Sequence, residues 1–176
     1  ANRLIISYTE SMVIHGKATQ ERVSEALSSK LSARISANEP VLFLVSGGSS
    51  APVAVEVCRK LTERFSSEAD RMKWLLTVSL IDERFGYEGH PDSNWTMLES
   101  LGFRHGAFMT VPVLGSRGET SADLENTVLH FDSFLSAAVE KHKAGRIYIA
   151  GLFGLGKDGH TAGILPDSPA ASDNCS

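Results

Sequence analysis

The sequence predicts a Rossmann-like α/β fold, an open parallel sheet with helices on both faces. Short apolar runs alternate with longer segments whose apolar residues recur every three to four positions, as strands and helices do in such folds. One run, Val41–Val45, is apolar throughout, which indicates a strand buried on both faces. With 176 residues, 42% of them hydrophobic, the chain fits one α/β domain over residues 1–176.

The first half of the chain is predicted to form strand, helix, strand and helix. Arg3–Tyr8 is short and apolar enough for an opening strand. A helix follows and ends before Pro40, because residues four apart are apolar: Val23, Leu27, Leu31 and Ile35. The strand Val41–Val45 then leads through a glycine-serine loop into a second helix. Its expected buried stripe is Ala54, Val57, Cys58, Leu61 and Phe65.

The second half continues the alternation. Trp74–Ile81 is predicted as a strand and Phe85–Ser93 as a loop, with Asp92 or Ser93 capping a helix that Gly102 closes. Ala107–Leu114 is predicted as a short strand, and Pro112 indicates either a position near an edge of the sheet or an irregular strand end. A long helix then runs from Thr120 or Ser121 to Gly145, and Ile147–Phe153 is the last strand. The expected buried face of the long helix is Leu124, Val128, Phe131, Leu135 and Ala138.

Composition excludes several classes of function. A net charge of -4 without a basic cluster argues against general binding to nucleic acid or anionic membrane. The sequence has neither a membrane-length apolar run nor a signal peptide pattern, so we expect a cytoplasmic protein. Cys58 and Cys175 are far apart and are expected to be free thiols. The six histidines have no ligand-like spacing, so no metal is predicted.

A glycine-rich motif, Gly154–Gly163, follows the last predicted strand. Its glycines at 154, 156 and 159 formally match a dinucleotide-binding fingerprint. That interpretation is disfavoured, because Pro166 interrupts the helix that the fingerprint should open and the motif comes late in the chain. Asp158 and His160 flank the third glycine, so the turn instead brings an acid-base pair to a place where a ligand can approach the backbone.

Two further polar segments follow predicted strands. Ser46–Ser50 joins a strand to a helix N-terminus, where backbone N–H groups and the helix dipole can bind an anion. A plain turn with a serine N-cap is the alternative, and the adjacent glycines favour the anion site. Asp82 and Arg84 follow the next strand, where open parallel sheets bind ligands, although a solvated loop start would look similar.

These three motifs, in this order and spacing, resemble the 6-phosphogluconolactonase family, within the larger group that also holds glucosamine-6-phosphate isomerase/deaminase. They are Ser46–Ser50, Asp82–Arg84 with Pro91–Asn94 downstream, and Gly154–Ala162. The chain departs from the family at Ser50-Ala51, where a Thr-Pro pair is usual, and at Gly163–Pro166, where Ser-Leu-Phe-Pro is usual. The resemblance also implies that the chain lacks the family's C-terminal strand and helix, which carry basic residues.

The resemblance implies hydrolysis of 6-phospho-D-glucono-1,5-lactone to 6-phospho-D-gluconate in the oxidative pentose phosphate pathway, with no cofactor. The isomerase/deaminase is one alternative, but its relatives carry a glutamate five positions after the motif histidine, where this chain has Leu165. A non-catalytic sugar-phosphate-binding module is the other. The expected partner is a small sugar-phosphate lactone, and the expected state is a monomer or small homo-oligomer.

The resemblance also implies roles for individual residues. His160 would be the general base, since imidazole has an ordinary pKa of about 6.5. Asp158 would orient that ring, and Arg84 would neutralise the phosphate or the developing oxyanion. The expected substrate- and phosphate-binding residues are Gly47, Gly48, Ser49, Ser50, Asp82 and Lys157. Asn94 would brace the loop.

Overall fold

The computed structural model describes residues 18–115 and 118–172. The helices are α1 (Gln20–Ser36), α2 (Ala51–Arg64), α3 (Ala69–Leu75), α4 (Asn94–Ser100), α5 (Ser121–Lys143) and α6 (Pro169–Ser172). The strands are β1 (Val41–Val45), β2 (Leu76–Leu80), β3 (Met109–Val111) and β4 (Tyr148–Leu152). The predicted opening strand Arg3–Tyr8 lies outside the described residues.

The four described strands form one parallel sheet in the order β3-β2-β1-β4. Because β1 is central, its last residue, Val45, pairs with Leu80 of β2 on one side and with Leu152 of β4 on the other. The carboxyl ends of these three strands therefore meet at one edge of the sheet. The predicted α/β class with an open parallel sheet is confirmed.

Helices pack on both faces of this sheet, as predicted. Phe43 of β1 is fully buried in a cluster with Leu31 and Ile35 of α1 and Leu61 of α2. Side chains alternate along a strand, so Leu42 points to the opposite face, where it borders a groove that includes α5 residues. The apolar alternation that predicted the fold class thus corresponds to a sheet with a helical layer on either side.

Two boundary predictions and one burial prediction were wrong or only partly right. Trp74 and Leu75 belong to α3 and not to a strand, and Trp74 is 84% exposed. The apolar run there contains a helix end and a strand start, and hydrophobicity alone does not separate them. The strand expected over residues 107–114 is only three residues long. On α5, Leu124 and Val128 are 42% and 57% exposed, although they lie on the predicted buried face.

Two helix starts that were predicted from capping residues are confirmed. Ser93 accepts hydrogen bonds from the N–H groups of Trp95 and Thr96 at the start of α4. Thr120 and Asp123 form a capping box at the start of α5. In the part of the chain that the structure describes, no helix combines the length and apolarity needed to cross a bilayer.

Cys58 is a buried free thiol, and its reactivity gives a first prediction. It is 3% exposed, and burial raises its pKa to about 12. We expect iodoacetamide at pH 8 to leave Cys58 unmodified in the native chain and to alkylate it after unfolding, because the thiolate is the nucleophile. Peptide mapping by mass spectrometry would measure this. Alkylation of the native protein at the rate of an unfolded control would contradict the prediction.

Candidate active site

The three predicted motifs come together at the carboxyl edge of the sheet. A Cβ placed on Gly154 would lie 3.4 Å from Oγ of Ser50 and 3.7 Å from Oγ of Ser49. A Cβ on Gly163 would lie 3.7 Å from Cβ of Asp82. The glycine-rich loop after β4 is therefore in contact distance of both the loop after β1 and the loop after β2. The adjacency of β2, β1 and β4 causes this convergence.

His160 and Asp158 form a hydrogen-bonded pair in the loop after β4. Nδ1 of His160 lies 2.5 Å from Oδ1 of Asp158, which also accepts the backbone N–H of His160 at 3.3 Å. Both hydrogen bonds favour the ionised carboxylate and so lower the pKa of Asp158, and the bond from the backbone N–H has the larger effect. An ionised carboxylate can only accept, so Nδ1 carries the proton and Nε2 of the neutral ring keeps its lone pair. The arrangement suits a base that takes a proton at Nε2.

Glycine is required in this loop at two positions. Gly159 has φ +90°, in the left-handed region that other residues rarely adopt. A Cβ on Gly156 would lie 2.3 Å from Nδ1 and Cε1 of His160, so the imidazole ring rests directly on the glycine backbone. Gly156 N–H also donates to the carbonyl of His160 at 2.8 Å. The glycine pattern therefore closes a tight loop around the imidazole.

The loop does not lead into the helix that a dinucleotide fingerprint would open. Thr161 forms bridges with Leu155 and Ile164, and Oγ1 of Thr161 donates to the carbonyl of Gly154 at 3.1 Å. The next helix, α6, begins only at Pro169 and has four residues. The chain after the motif is thus a series of turns, in agreement with the rejection of the dinucleotide interpretation.

The loop after β1 divides its predicted anion-binding residues into two groups. Gly48, at φ +62°, and Ser49 are exposed, whereas Gly47 and Ser50 are buried. The hydroxyl of Ser50 lies 3.1 Å from the carbonyl of Ser46 and 2.9 Å from that of Gly47, so it is engaged within the loop. Ser50 also makes no capping hydrogen bond to α2, contrary to the plain N-cap alternative. Of this loop's predicted anion-binding residues, Gly48 and Ser49 are therefore the two that solvent can reach.

Asp82 and Arg84 are joined by Asn94, which is 1% exposed. Nδ2 of Asn94 donates to the backbone carbonyl of Asp82 at 2.9 Å and to its Oδ2 at 3.2 Å. Oδ1 of Asn94 accepts a hydrogen bond from Nη1 of Arg84, which also donates to the carbonyl of Asp92 at 3.2 Å. Oδ1 of Asp82 accepts the hydroxyl of Ser46 at 3.0 Å. Asn94 braces these loops, and both carboxylate oxygens of Asp82 take part in the bracing.

Sequence reasoning gave no role to Glu83, whose carboxylate accepts hydrogen bonds from four donors. They are Arg84 N, Ser93 Oγ, Asn94 N and Trp95 N. Most of these donors lie ten to twelve positions away in sequence. No local pattern contains such a contact, so only the neighbouring motif residues could have drawn attention to Glu83.

The remaining predicted site residue, Lys157, is exposed in the turn next to Asp158. Leu165, which occupies the position discussed for the isomerase glutamate, is 54% exposed. Within residues 18–115 and 118–172, no group of three or more His, Cys, Asp or Glu side chains is arranged to hold a metal ion. The imidazole of His160 is itself 41% exposed, so the candidate site formed by the described residues is open to solvent.

Comparison with known proteins agrees with the fold and the family that the sequence motifs indicate. The family model described as glucosamine-6-phosphate isomerases/6-phosphogluconolactonase matches residues 15–175. The 6-phosphogluconolactonase structure from Trypanosoma brucei is similar, with 25% identity, a TM-score of 0.62, and coverage of 93% of this chain and 66% of that one. A Shewanella baltica 6-phosphogluconolactonase shares the fold at 20% identity and a TM-score of 0.56, with coverage of 88% and 61%. No curated protein sequence matches significantly.

Proposed function

Because the chain belongs to the family of glucosamine-6-phosphate isomerases and 6-phosphogluconolactonases, we propose that it hydrolyses 6-phospho-D-glucono-1,5-lactone to 6-phospho-D-gluconate in the oxidative pentose phosphate pathway. The observation that carries the proposal is the His160–Asp158 pair, which lies in the loop that contacts the glycine-serine loop through Gly154. The chain spans less than two thirds of the length of the two structures named above. The activity, the substrate and the cytoplasmic location of the whole protein are therefore proposals.

The proposed reaction starts with His160 as general base. Nε2 takes a proton from a water molecule as the water oxygen attacks the lactone carbonyl carbon. Asp158 is ionised at neutral pH, as an aspartate ordinarily is, and its lowered pKa favours the ionised form further, so its carboxylate stabilises the imidazolium that forms. The ring oxygen then leaves and receives the proton back from His160. One proton of the water thus passes through the imidazole to the ring oxygen, and the other is released to solvent when the new carboxylic acid ionises. The Asp158 carboxylate fixes the orientation of the imidazole.

Anion binding completes the proposed site. Backbone N–H groups near Gly48 and Ser49, at the start of the turn that enters α2, would bind the phosphate. Arg84, anchored by Nη1 to Asn94, would bring a positive charge to the phosphate or the oxyanion. Lys157 would add charge from the loop after β4. Gly47, Ser50 and Asp82 would contribute by fixing the loops, and Asp82 could also accept a substrate hydroxyl.

The isomerase reaction of the same family is the competing chemistry. It moves protons between two sugar carbons. As the resemblance implies, the isomerase/deaminase enzymes carry a glutamate five positions after the motif histidine, where it supports the imidazole. This chain has the apolar, half-exposed Leu165 there, and the carboxylate that contacts the imidazole is Asp158. Lactone hydrolysis needs only a base, an oriented water and anion stabilisation, so it fits these residues better.

Side-by-side turnover of the two substrates tests the proposal. We expect consumption of 6-phosphogluconolactone above the spontaneous rate and no release of ammonia from glucosamine 6-phosphate. Acid release at constant pH would measure lactone opening, with an enzyme-free reaction subtracted. Ammonia release would favour the isomerase. Thermal stabilisation by 6-phosphogluconate with no turnover would instead favour a non-catalytic sugar-phosphate-binding module.

A further inference from the structure

Glu83 has an unusual concentration of hydrogen bonds for a residue next to the proposed site. Its Oε1 accepts the backbone N–H of Arg84 at 2.8 Å and that of Asn94 at 2.6 Å. Its Oε2 accepts the hydroxyl of Ser93 at 2.8 Å and the N–H of Trp95 at 3.2 Å. One carboxylate thus ties the start of the loop after β2 to Ser93 and to the first residues of α4.

Those hydrogen bonds hold both partners of the Arg84–Asn94 contact. The backbone of each residue is bound to the same oxygen of Glu83, and their side chains are bound to each other. Asn94 is also hydrogen-bonded to Asp82, so its amide cannot turn without breaking buried contacts. The direction of the guanidinium therefore depends on the position of the Glu83 carboxylate.

Capping of α4 does not account for this arrangement. Ser93 already caps the helix by accepting the N–H groups of Trp95 at 3.1 Å and Thr96 at 3.2 Å. The hydrogen bond from Glu83 to the N–H of Arg84 lies outside the helix altogether. A residue needed only for the helix end would have no reason to bind the backbone of the arginine.

We propose that Glu83 is a positioning residue that acts through Arg84, holding its guanidinium in the direction needed to neutralise the substrate's negative charge. This inference rests on the proposed lactonase function. Glu83 touches neither the lactone nor the water. It fixes the backbone N–H groups of Arg84 and Asn94. An error of about 1 Å in the placement of a catalytic group can cost on the order of 100-fold in rate.

The test is a double-mutant cycle. Glu83→Gln keeps the size of the side chain but turns an amide NH₂ toward N–H donors, so the hydrogen bonds on one oxygen are lost. We expect kcat/KM for the lactone to fall about 10- to 100-fold in Glu83→Gln. In an Arg84→Ala background the same change should cost less than about twofold, because coupled residues are not additive. Glu88→Gln, at an exposed position in the same loop, is the matched control.

A purely structural role would give a different result. The effect of Glu83→Gln on kcat/KM would then multiply with that of Arg84→Ala, which would overturn the proposal. Nuclear magnetic resonance of the Arg84 guanidinium, assigned by its loss in Arg84→Ala, gives a second readout that needs no activity. We expect hindered guanidinium rotation in the parent chain and averaged signals in Glu83→Gln. Identical signals would also overturn the proposal.

The two readouts separate failure of this inference from failure of the proposed function. If the parent chain hydrolyses no lactone, the lactonase proposal fails and the guanidinium signals alone decide whether Glu83 holds Arg84. If the parent chain is active and the two substitutions act independently, the lactonase proposal stands and the positioning role is rejected.

Discussion

Replacing His160 with alanine is expected to lower kcat/KM for 6-phosphogluconolactone by about 10²- to 10⁴-fold, the usual contribution of a general acid-base residue. The imidazole is the group that Asp158 orients, and alanine leaves no atom to take the proton from water. The side chain of His160 is 41% exposed, so its removal should change the melting temperature little. The measurement is initial-rate kinetics with the spontaneous opening of the lactone subtracted.

His130→Ala provides the matched control for this experiment. His130 is an exposed histidine of α5, a helix that contributes none of the predicted site residues. It should retain the parental rate, which would exclude a general effect of losing an imidazole. A folded His160→Ala chain that hydrolyses the lactone at the parental rate would remove His160 from the mechanism.

Replacing Gly47 with alanine is expected to cost both stability and activity. The added Cβ would lie 2.0 Å from Oδ1 and 2.5 Å from Cγ of Asn94, far inside van der Waals contact. Asn94 is 1% exposed and bonded to Asp82 and Arg84, so it cannot move aside cheaply. Overpacking of this kind costs about 1–3 kcal/mol in free energy of unfolding. Displacement of Arg84 should lower kcat/KM on the order of 100-fold.

Chemical unfolding and lactone kinetics would measure the two effects of Gly47→Ala. Gly115→Ala is the appropriate control, because a Cβ there meets no atom of the described residues within 4 Å and the residue does not require a left-handed backbone. It should leave the denaturation midpoint and the rate unchanged. A Gly47→Ala chain with parental stability and parental rate would show that the contact with Asn94 is not needed.

Local sequence signals predicted most elements of the fold. The apolar run Val41–Val45 forms a central strand. The apolar residues that recur every four positions from Val23 to Ile35 lie in α1. Ser93 and Thr120 marked helix starts, because capping uses atoms within three residues of each other. Trp74 was misassigned, since a helix end and a strand start share one apolar run there. Exposure of Leu124 and Val128 depends on what packs against α5, which periodicity does not describe.

The sequence by itself determined the chemical groups of the candidate site and the strand ends on which they lie. The loop Gly154–Gly163 is shaped by contacts between residues only a few positions apart in sequence, such as the hydrogen bond between His160 and Asp158. The tertiary structure alone decided which strand ends are neighbours, that Ser50 turns its hydroxyl inward, and that Glu83 binds Arg84 and Asn94 together. Those contacts join separate loops, and their geometry follows from the strand order and from side-chain packing, which short-range patterns do not encode.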